Sequence, residues 1–238
     1  MFYPSPTIRV MADASRKISG MIMRDYYELQ LLQNSRKSLS GFYEHLVRRA
    51  SGKLEEELLK ARPNFLTDID SASHGDFWVF NVLEGRENFL HALPYFTISI
   101  AHVRRNNPRK EVVSSIVVAP AFKEMYFAEL DKGAWFERFD MNQDRPEKLR
   151  VSGRMSKDDL LYVSNQNLGV AGLRNLGSNA IALSYLAAGR FDAVVIEKPD
   201  YKDIAAGLLI AKQAGAVLDV SDDRVVAATE YAKSQYSF

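Results

Sequence analysis

The chain has 238 residues, with 31 lysines and arginines against 30 aspartates and glutamates, 47% hydrophobic residues and no cysteine. The length suits one large core or two fused lobes, and a net charge of +1 gives no electrostatic reason to expect binding to nucleic acid or a membrane surface. The absence of cysteine excludes disulfides, thiolate metal sites and cysteine nucleophiles, whereas thirty carboxylates leave a metal site with oxygen ligands open.

The first sixty residues carry two helical patterns. From Pro6, apolar residues recur at three- and four-residue spacing, which predicts a long amphipathic helix ending near Asn34, with Ser5 as its cap. A second pattern predicts a helix over residues 42–60, which stops before Pro63. Met1–Val10 lacks a secretory pattern, and no apolar run reaches the ~18 residues of a membrane span, so we expect a cytoplasmic protein.

The middle of the chain changes to a strand pattern rich in β-branched and aromatic residues. The predicted strands cover residues 77–80, 95–103, 111–118, 124–130 and 134–139. Their short spacings, with turn residues at 106–108 and 131–133, favour an antiparallel meander. The basic segment 104–110 coincides with a hairpin tip, so a solvated turn is the simpler interpretation and contact with nucleic acid the alternative.

The last third of the chain alternates between strands and helices. The pattern predicts strands at 160–164, 193–197 and 217–220 and helices at 178–188 and 203–214. This alternation indicates an α+β protein with an N-terminal lobe, 1–150, and a C-terminal α/β lobe, 151–238, packed as one compact unit.

Two sequence motifs resemble signatures of one enzyme family. Phe77–Phe89 resembles the signature W-x-x-D-P-[IL]-D-G-T-x-N-F, and Lys202–Gly207 resembles W-D-x-A-A-G. Further matches occur at Lys132–Trp135, Gly177–Ala180 and Leu186–Asp192, in family order. On these motifs the chain is identified as a member of the inositol monophosphatase family, most similar to its bacterial extragenic-suppressor (SuhB-type) branch.

The resemblance implies a layered αβαβα sandwich and a homodimer. It also implies Mg²⁺-dependent hydrolysis of inositol phosphate and similar small phosphate monoesters. In such enzymes several carboxylates converge on two or three Mg²⁺ ions, which hold the phosphate and activate a water for in-line attack.

The positions that match the family's metal ligands depart from the family pattern. Asn81 replaces an aspartate that bridges two metals, and Glu84 keeps a charge but is one methylene longer. Arg86 replaces a threonine and brings a permanent cation to the metal position. The Leu83 carbonyl and Asp203 remain as candidate ligands, and Lys202 replaces the tryptophan beside Asp203.

The resemblance places the water-activating glutamate in a shortened loop. The alignment puts Ile69 at the key position, while Asp68 or Asp70 could act as the catalytic carboxylate if the loop register shifts. The earlier family segment D-x-x-[ST]-x-x-D falls on residues 41–47, where both aspartates are absent, although Lys37 survives just before it.

The resemblance makes six residues candidates for binding phosphate and substrate. They are Gly85, Arg86, Glu87, Ser178, Ala180 and Glu197. Glu197 resembles the contact to an inositol hydroxyl, with Ala180 as its small neighbour, but the segment Glu197–Tyr201 is one residue short. The helix start at Gly177–Asn179 could present N–H groups to an anion.

Simpler interpretations exist for five of these positions. Asp203 could be a helix N-cap, Glu84 and Gly85 an ordinary turn, and Arg86 and Glu87 a surface ion pair. The four histidines lack ligand spacing, and no serine lies in a nucleophile motif.

Three functions remain open from the sequence. In the first, Arg86 and Lys202 neutralise Glu84 and Asp203 in place of the metal, so that Mg²⁺ binding is weak or absent and the protein binds a small phosphorylated ligand or a protein partner without turnover. The second is an atypical Mg²⁺-dependent phosphomonoesterase. The third is a structural or interaction protein. We expect neither membrane nor nucleic-acid binding.

Overall fold

The computed structural model describes residues 4–33, 39–62, 64–139 and 145–235. Asn34, Lys37 and Pro63 lie outside these residues. The helices are Pro6–Leu32 (α1), Ser40–Ala61 (α2), Arg86–Leu90 (α3), Asn179–Ala187 (α4), Tyr201–Gln213 (α5) and Glu230–Gln235 (α6). The strands are His74–Glu84 (β1), Thr97–Asn106 (β2), Arg109–Ala119 (β3), Glu124–Glu129 (β4), Gly133–Arg138 (β5), Glu147–Lys148 (β6), Tyr162–Ser164 (β7), Leu173–Arg174 (β8), Ala193–Glu197 (β9), Val217–Val220 (β10) and Arg224–Ala228 (β11).

The two N-terminal helices cover one face of the first sheet. Ser5 caps α1 by accepting a hydrogen bond from the Ile8 amide, and Pro6 lies in the first turn, as the sequence predicts. The apolar stripes of α1 and α2 are buried against the first sheet in one core that includes Trp78.

The first sheet has six strands in the order β1 to β6, and each strand is antiparallel to the next. This confirms the meander expected from the turn residues. Asp131 and Gly133 adopt positive φ angles of 62° and 101° at the β4–β5 connection, where aspartate and glycine are tolerated better than most residues.

The second sheet has the order β10-β11-β9-β7-β8, and β7 pairs in parallel with both β8 and β9. The predicted strands at 193–197 and 217–220 are confirmed, and β7 begins two residues later than predicted. The short elements α3, β6, β8, β11 and α6 were not predicted from the sequence pattern.

Helices α4 and α5 lie between the two sheets. Seven of the nine residues of α4 are buried, which explains why this helix is apolar on every side. Ala180 and Ala187 pack towards the first sheet, whereas Leu183 and Leu186 pack towards the second. With α6 packed on the far side of the second sheet through Ala232, the order of layers is αβαβα, as expected.

The end of β1 directs the chain into the middle of the molecule. The pairing of β1 with β2 shifts register between Asn81 and Glu84, and Gly85 then turns the chain into α3 with a φ of 92°. A side chain at Gly85 would place its Cβ 2.5 Å from the Tyr95 carbonyl oxygen, so only glycine fits this turn. In the part of the chain that the structure describes, no helix is long and apolar enough to cross a bilayer.

The contact between α4 and α5 predicts the effect of a single methyl group. A Cβ at Gly207 would lie 2.8 Å from the Leu183 Cβ, whereas nothing lies within 4 Å of a Cβ at Gly52 in α2. We expect Gly207→Ala to destabilise the fold by about 1–3 kcal/mol, because overpacking exceeds the gain in helix propensity, and Gly52→Ala to stabilise it by about 0.5–1 kcal/mol. Urea denaturation measures both. Equal stabilisation by the two variants would contradict the close packing.

Candidate functional site

Three element ends meet at the site. They are the carboxyl end of β1, the amino end of α4 and the first turn of α5. The pairing of β1 with β2 shifts register between Asn81 and Glu84, the two residues that contact the two helix starts. Side chains far apart in the sequence therefore contact one another here.

The position expected to bridge two metals forms a direct protein contact instead. The Asn81 amide nitrogen donates to the Asp203 carboxylate at 2.6 Å, and the Asn81 carbonyl oxygen accepts from the Leu83 amide at 3.0 Å. Both polar ends of Asn81 are thus engaged. Burial raises the pKa of Asp203 and the charge of Asp200 adds to this, while the hydrogen bond from Asn81 opposes it.

The backbone oxygen expected to bind metal is also engaged. The Tyr43 hydroxyl donates to the Leu83 carbonyl oxygen at 2.8 Å. Burial raises the pKa of Tyr43 to about 12, so the phenol keeps its proton and remains a donor at neutral pH. Tyr43 was not predicted as a site residue, although it lies in the segment 41–47 where the family's aspartates are absent.

The Glu84 carboxylate is turned towards the amino end of α4. It accepts hydrogen bonds from the Asn179 amide at 2.5 Å, the Ser178 hydroxyl at 2.7 Å, the Ala180 amide at 2.9 Å and the Thr97 hydroxyl at 3.2 Å. Helix amino ends favour anions, and here the chain supplies its own. Only 7% of Glu84 is exposed, and burial raises its pKa to about 7, with the charge of Asp203 adding to the effect and the hydrogen bonds opposing it.

The two cations near the site pair with other partners. Arg86 lies 2.5 Å from Glu87 and donates to the Ser40 hydroxyl at 3.2 Å, and Lys202 lies 3.1 Å from Asp200. Neither cation forms an ion pair with Glu84 or Asp203 among the described residues. Burial raises the pKa of Asp203, but the charge of Lys202 opposes this, so the neutralisation expected from Arg86 and Lys202 stays a prediction. Neutral hydrogen-bond donors contact the two carboxylates.

The simpler interpretation of Asp203 as the N-cap of its helix is wrong. The side chain of Asp200 accepts from the Lys202 amide at 3.1 Å and caps α5, whereas Asp203 lies in the first turn of that helix. Because Asp200 satisfies the helix end, Asp203 is left to face Asn81.

The candidate catalytic carboxylates lie in a separate part of the cleft. Asp68 and Asp70 line a cavity of about 390 Å³ together with Asp200 and Lys202. Asp68 accepts from the Asp70 amide at 3.0 Å in a local turn, and Asp70 lies 3.4 Å from Arg105. The catalytic role of Asp68 or Asp70 stays a prediction.

The predicted substrate contacts lie in different parts of the structure. Ser178 and Ala180 hold Glu84 through the hydrogen bonds given above, and Gly85 is buried at the turn. Glu197 forms an ion pair of 2.7 Å with Arg224 on the neighbouring strand. Arg86 and Glu87 remain exposed.

The donor set does not fit the Mg²⁺ cluster that the family resemblance implies. Mg²⁺ requires oxygen ligands in near-octahedral geometry. The Asp203 carboxylate, the Leu83 carbonyl and the Glu84 carboxylate each accept hydrogen bonds from this chain, and Asn81 points its N–H₂ group at Asp203. Among the described residues, no three histidine, aspartate or glutamate side chains form a group able to hold a metal ion.

The whole chain is similar to known proteins. A profile described as the inositol monophosphatase family matches residues 6–236. An inositol-1-monophosphatase of Rhizobium meliloti is 34% identical over 235 residues, covering 89% of this chain and 84% of the relative. A Nus factor SuhB of Pasteurella multocida is 28% identical, covering 90% of this chain and 85% of the relative. The crystal structure of extragenic suppressor protein suhB from Bartonella henselae superimposes with a TM-score of 0.79 at 27% identity, covering 98% of this chain and 97% of that one.

The burial of Glu84 predicts the pH dependence of stability. Its pKa is raised from 4.5 to about 7 in the folded protein, so the folded state binds more protons than the unfolded state between these values. The free energy of unfolding should therefore fall as pH rises from 4.5 to 7, by up to about 3 kcal/mol from this group.

Glu84→Gln is the matched control, because an amide resembles the protonated acid but does not titrate. Denaturant unfolding between pH 4.5 and 7.5 should show that the difference in stability, native minus variant, falls with rising pH. A difference that rises across this range would contradict the raised pKa.

Proposed function

The chain belongs to the inositol monophosphatase family, and from this premise we propose that it binds a small phosphorylated ligand without hydrolysing it through a Mg²⁺ cluster. One observation carries the proposal. The Asn81 amide contacts the Asp203 carboxylate directly, at 2.6 Å.

Charge and the hydrogen bonds at the candidate ligand oxygens support the absence of a metal cluster. Replacing an aspartate by Asn81 removes one negative charge from the position the family uses to bridge two metals. A cation entering beside Asp203 would meet the Asn81 N–H₂ group at one carboxylate oxygen and the Tyr43 hydroxyl at the Leu83 carbonyl. Each of these oxygens keeps a further lone pair, so Mg²⁺ would have to share the oxygen with the bound donor and also shed its own water.

The carboxylate of Glu84 is also held by other groups of the protein. Four donors hold its carboxylate at the start of α4, and moving it to a metal would leave the Asn179 and Ala180 amides without their acceptor. The same contacts fill the helix end, so a phosphate would bind elsewhere in the site.

Arg86 offers the place for that phosphate. Its side chain is 43% exposed, and its guanidinium lies 5.3 Å from the centre of the Tyr43 ring, which orients it. Its charged partner, Glu87, is 72% exposed, and exposed pairs contribute little. A phosphate can therefore replace Glu87 on the guanidinium fork. Arginine supplies charge for binding but no activated water.

Binding without turnover suits a regulatory or partner-binding role. Relatives at 25–28% identity carry the name Nus factor SuhB rather than the name of a phosphatase. We propose that the protein keeps the family fold in order to bind a phosphorylated ligand or a protein partner. We also propose that it does so as the homodimer expected of the family.

A Mg²⁺ titration tests the absence of the cluster. Calorimetry of the native protein should show no stoichiometric Mg²⁺ binding in the low-millimolar range. Hydrolysis of small phosphate monoesters that is abolished by EDTA and by Asp203→Ala would contradict the proposal and favour an atypical phosphatase.

Asn81→Asp restores the missing carboxylate. In EDTA we expect a loss of about 2 kcal/mol in unfolding free energy, because Asp203 loses a donor and gains a like charge. Mg²⁺ should recover part of this loss. Asn81→Ala, which removes the donor without adding charge, should lose stability but gain nothing from Mg²⁺. Stabilisation of the native protein by Mg²⁺ to the same extent as Asn81→Asp would contradict the proposal.

Arg86→Met tests the phosphate site. Inorganic phosphate and a sugar phosphate should raise the melting temperature of the native protein, and Arg86→Met should weaken their binding about tenfold or more, as expected for a charge-assisted hydrogen bond. Arg9→Met, at an exposed position near the start of α1, is the matched control and should bind normally. Equal binding by the two variants would exclude Arg86 as the contact.

A further inference from the structure

A second cavity lies on the opposite side of α5 from the contact between α5 and α4. Its volume is about 480 Å³, within the range of small-molecule sites. Residues of β3, α5 and β10, with Leu130 after β4, form its walls, and they are Arg109, Lys110, Glu111, Val112, Leu130, Tyr201, Ala205, Leu208, Leu209, Lys212, Leu218 and Val220. We call this cavity the α5 groove.

The floor of the α5 groove is apolar. Leu209 is 4% exposed at its base, and Leu208 and Leu218 are half-buried beside it. Val220, on the edge strand of the second sheet, is 51% exposed. A hydrocarbon chain lying in the groove would remove this surface from water.

The rim of the α5 groove is basic. Three cations, Arg109, Lys110 and Lys212, face it, against one carboxylate, Glu111. Lys110 lies 3.7 Å from Asp70 and 5.6 Å from the centre of the Tyr201 ring. Within the described parts of the chain, Arg109 and Lys212 have no ion-pair partner, so their charge is available to an anion.

The α5 groove is distinct from the cleft around Asp68 and Asp70. Lys110 and Tyr201 line both cavities, and their cation–π contact divides one from the other. Neither Asn81 nor Arg86 lines the groove. A ligand bound there would contact the same helix that carries Asp203, one to three turns further along.

We propose that the α5 groove binds a monomeric amphipathic anion, namely an aliphatic carboxylate. The carboxylate lies between Arg109, Lys110 and Lys212, and the hydrocarbon chain lies on Leu209 and its apolar neighbours. The combination of an apolar floor with a basic rim selects this class, because a free anion lacks the chain to use the floor and a neutral alkane lacks the charge.

The hydrocarbon length and the charge of the ligand can be varied independently to test this site. Hexanoate, heptanoate and octanoate are titrated into the whole protein, with methyl-resolved NMR as the readout. Saturable shifts are expected at Leu208, Leu209, Leu218 and Val220, with the dissociation constant tightening about fourfold for each added methylene, which corresponds to ~0.8 kcal/mol. Octanol should bind at least several-fold more weakly than octanoate.

Two variants of the basic rim test whether its charge contributes to ligand binding. Lys212→Met should weaken octanoate binding about threefold and the double variant Arg109→Gln/Lys212→Met about tenfold, with octanol binding unchanged. Lys233→Met, at an exposed position in α6, is the matched control and should leave octanoate binding unchanged.

Several results would overturn the assignment. They are affinity independent of chain length, shifts outside the α5 groove, equal octanoate binding by the rim variants and the native protein, or binding to anionic lipid vesicles without binding of monomeric octanoate. The proposed phosphate site does not include Arg109 or Lys212. A lack of octanoate binding would therefore not contradict phosphate binding at Arg86, and a lack of phosphate binding would not contradict octanoate binding in the α5 groove.

Discussion

The hydrogen bond between Asn81 and Asp203 joins the first sheet to α5 at the place where the family resemblance puts a bridging metal. The other features of the site are compatible with this contact. The Leu83 carbonyl accepts from Tyr43, and the Glu84 carboxylate is turned towards α4. Each contact satisfies a polar group that a metal would otherwise engage. Protein hydrogen bonds thus connect the end of β1 to the starts of α4 and α5.

Most of the apolar burial that supports the fold lies in the layers around the site. Helices α4 and α5 are buried between two sheets, and Gly207 allows them to approach closely through Leu183. This apolar packing would be the same whether the polar groups at the ends of β1, α4 and α5 bind a metal or one another. A member of the family can thus exchange its ligand residues while keeping a structure that superimposes on suhB over nearly its whole length.

The sequence predicted the fold far better than the site. Long periodic patterns, such as those of α1 and β3, identify their elements, and the motifs identify the layer order. Short elements such as α3 and β8 carry too few residues to show a period. At the site, the residue types identified the positions that depart from the family pattern. They did not predict the directions in which the side chains point. Glu84 reaches Ser178, which is 94 residues away, and this contact depends on tertiary packing. Arg86, by contrast, pairs with its neighbour Glu87, as the simpler local interpretation held.

The central claim is that protein hydrogen bonds occupy the place of the metal cluster. Its most direct test is a crystal structure of the native chain grown with Mn²⁺, as an anomalous scatterer in place of Mg²⁺, and phosphate. We predict no anomalous peak beside Asp203, with the Asn81 amide in direct contact with its carboxylate and any phosphate at Arg86. An anomalous peak coordinated by Asp203 and the Leu83 carbonyl, with Asn81 and Tyr43 displaced, would contradict the account.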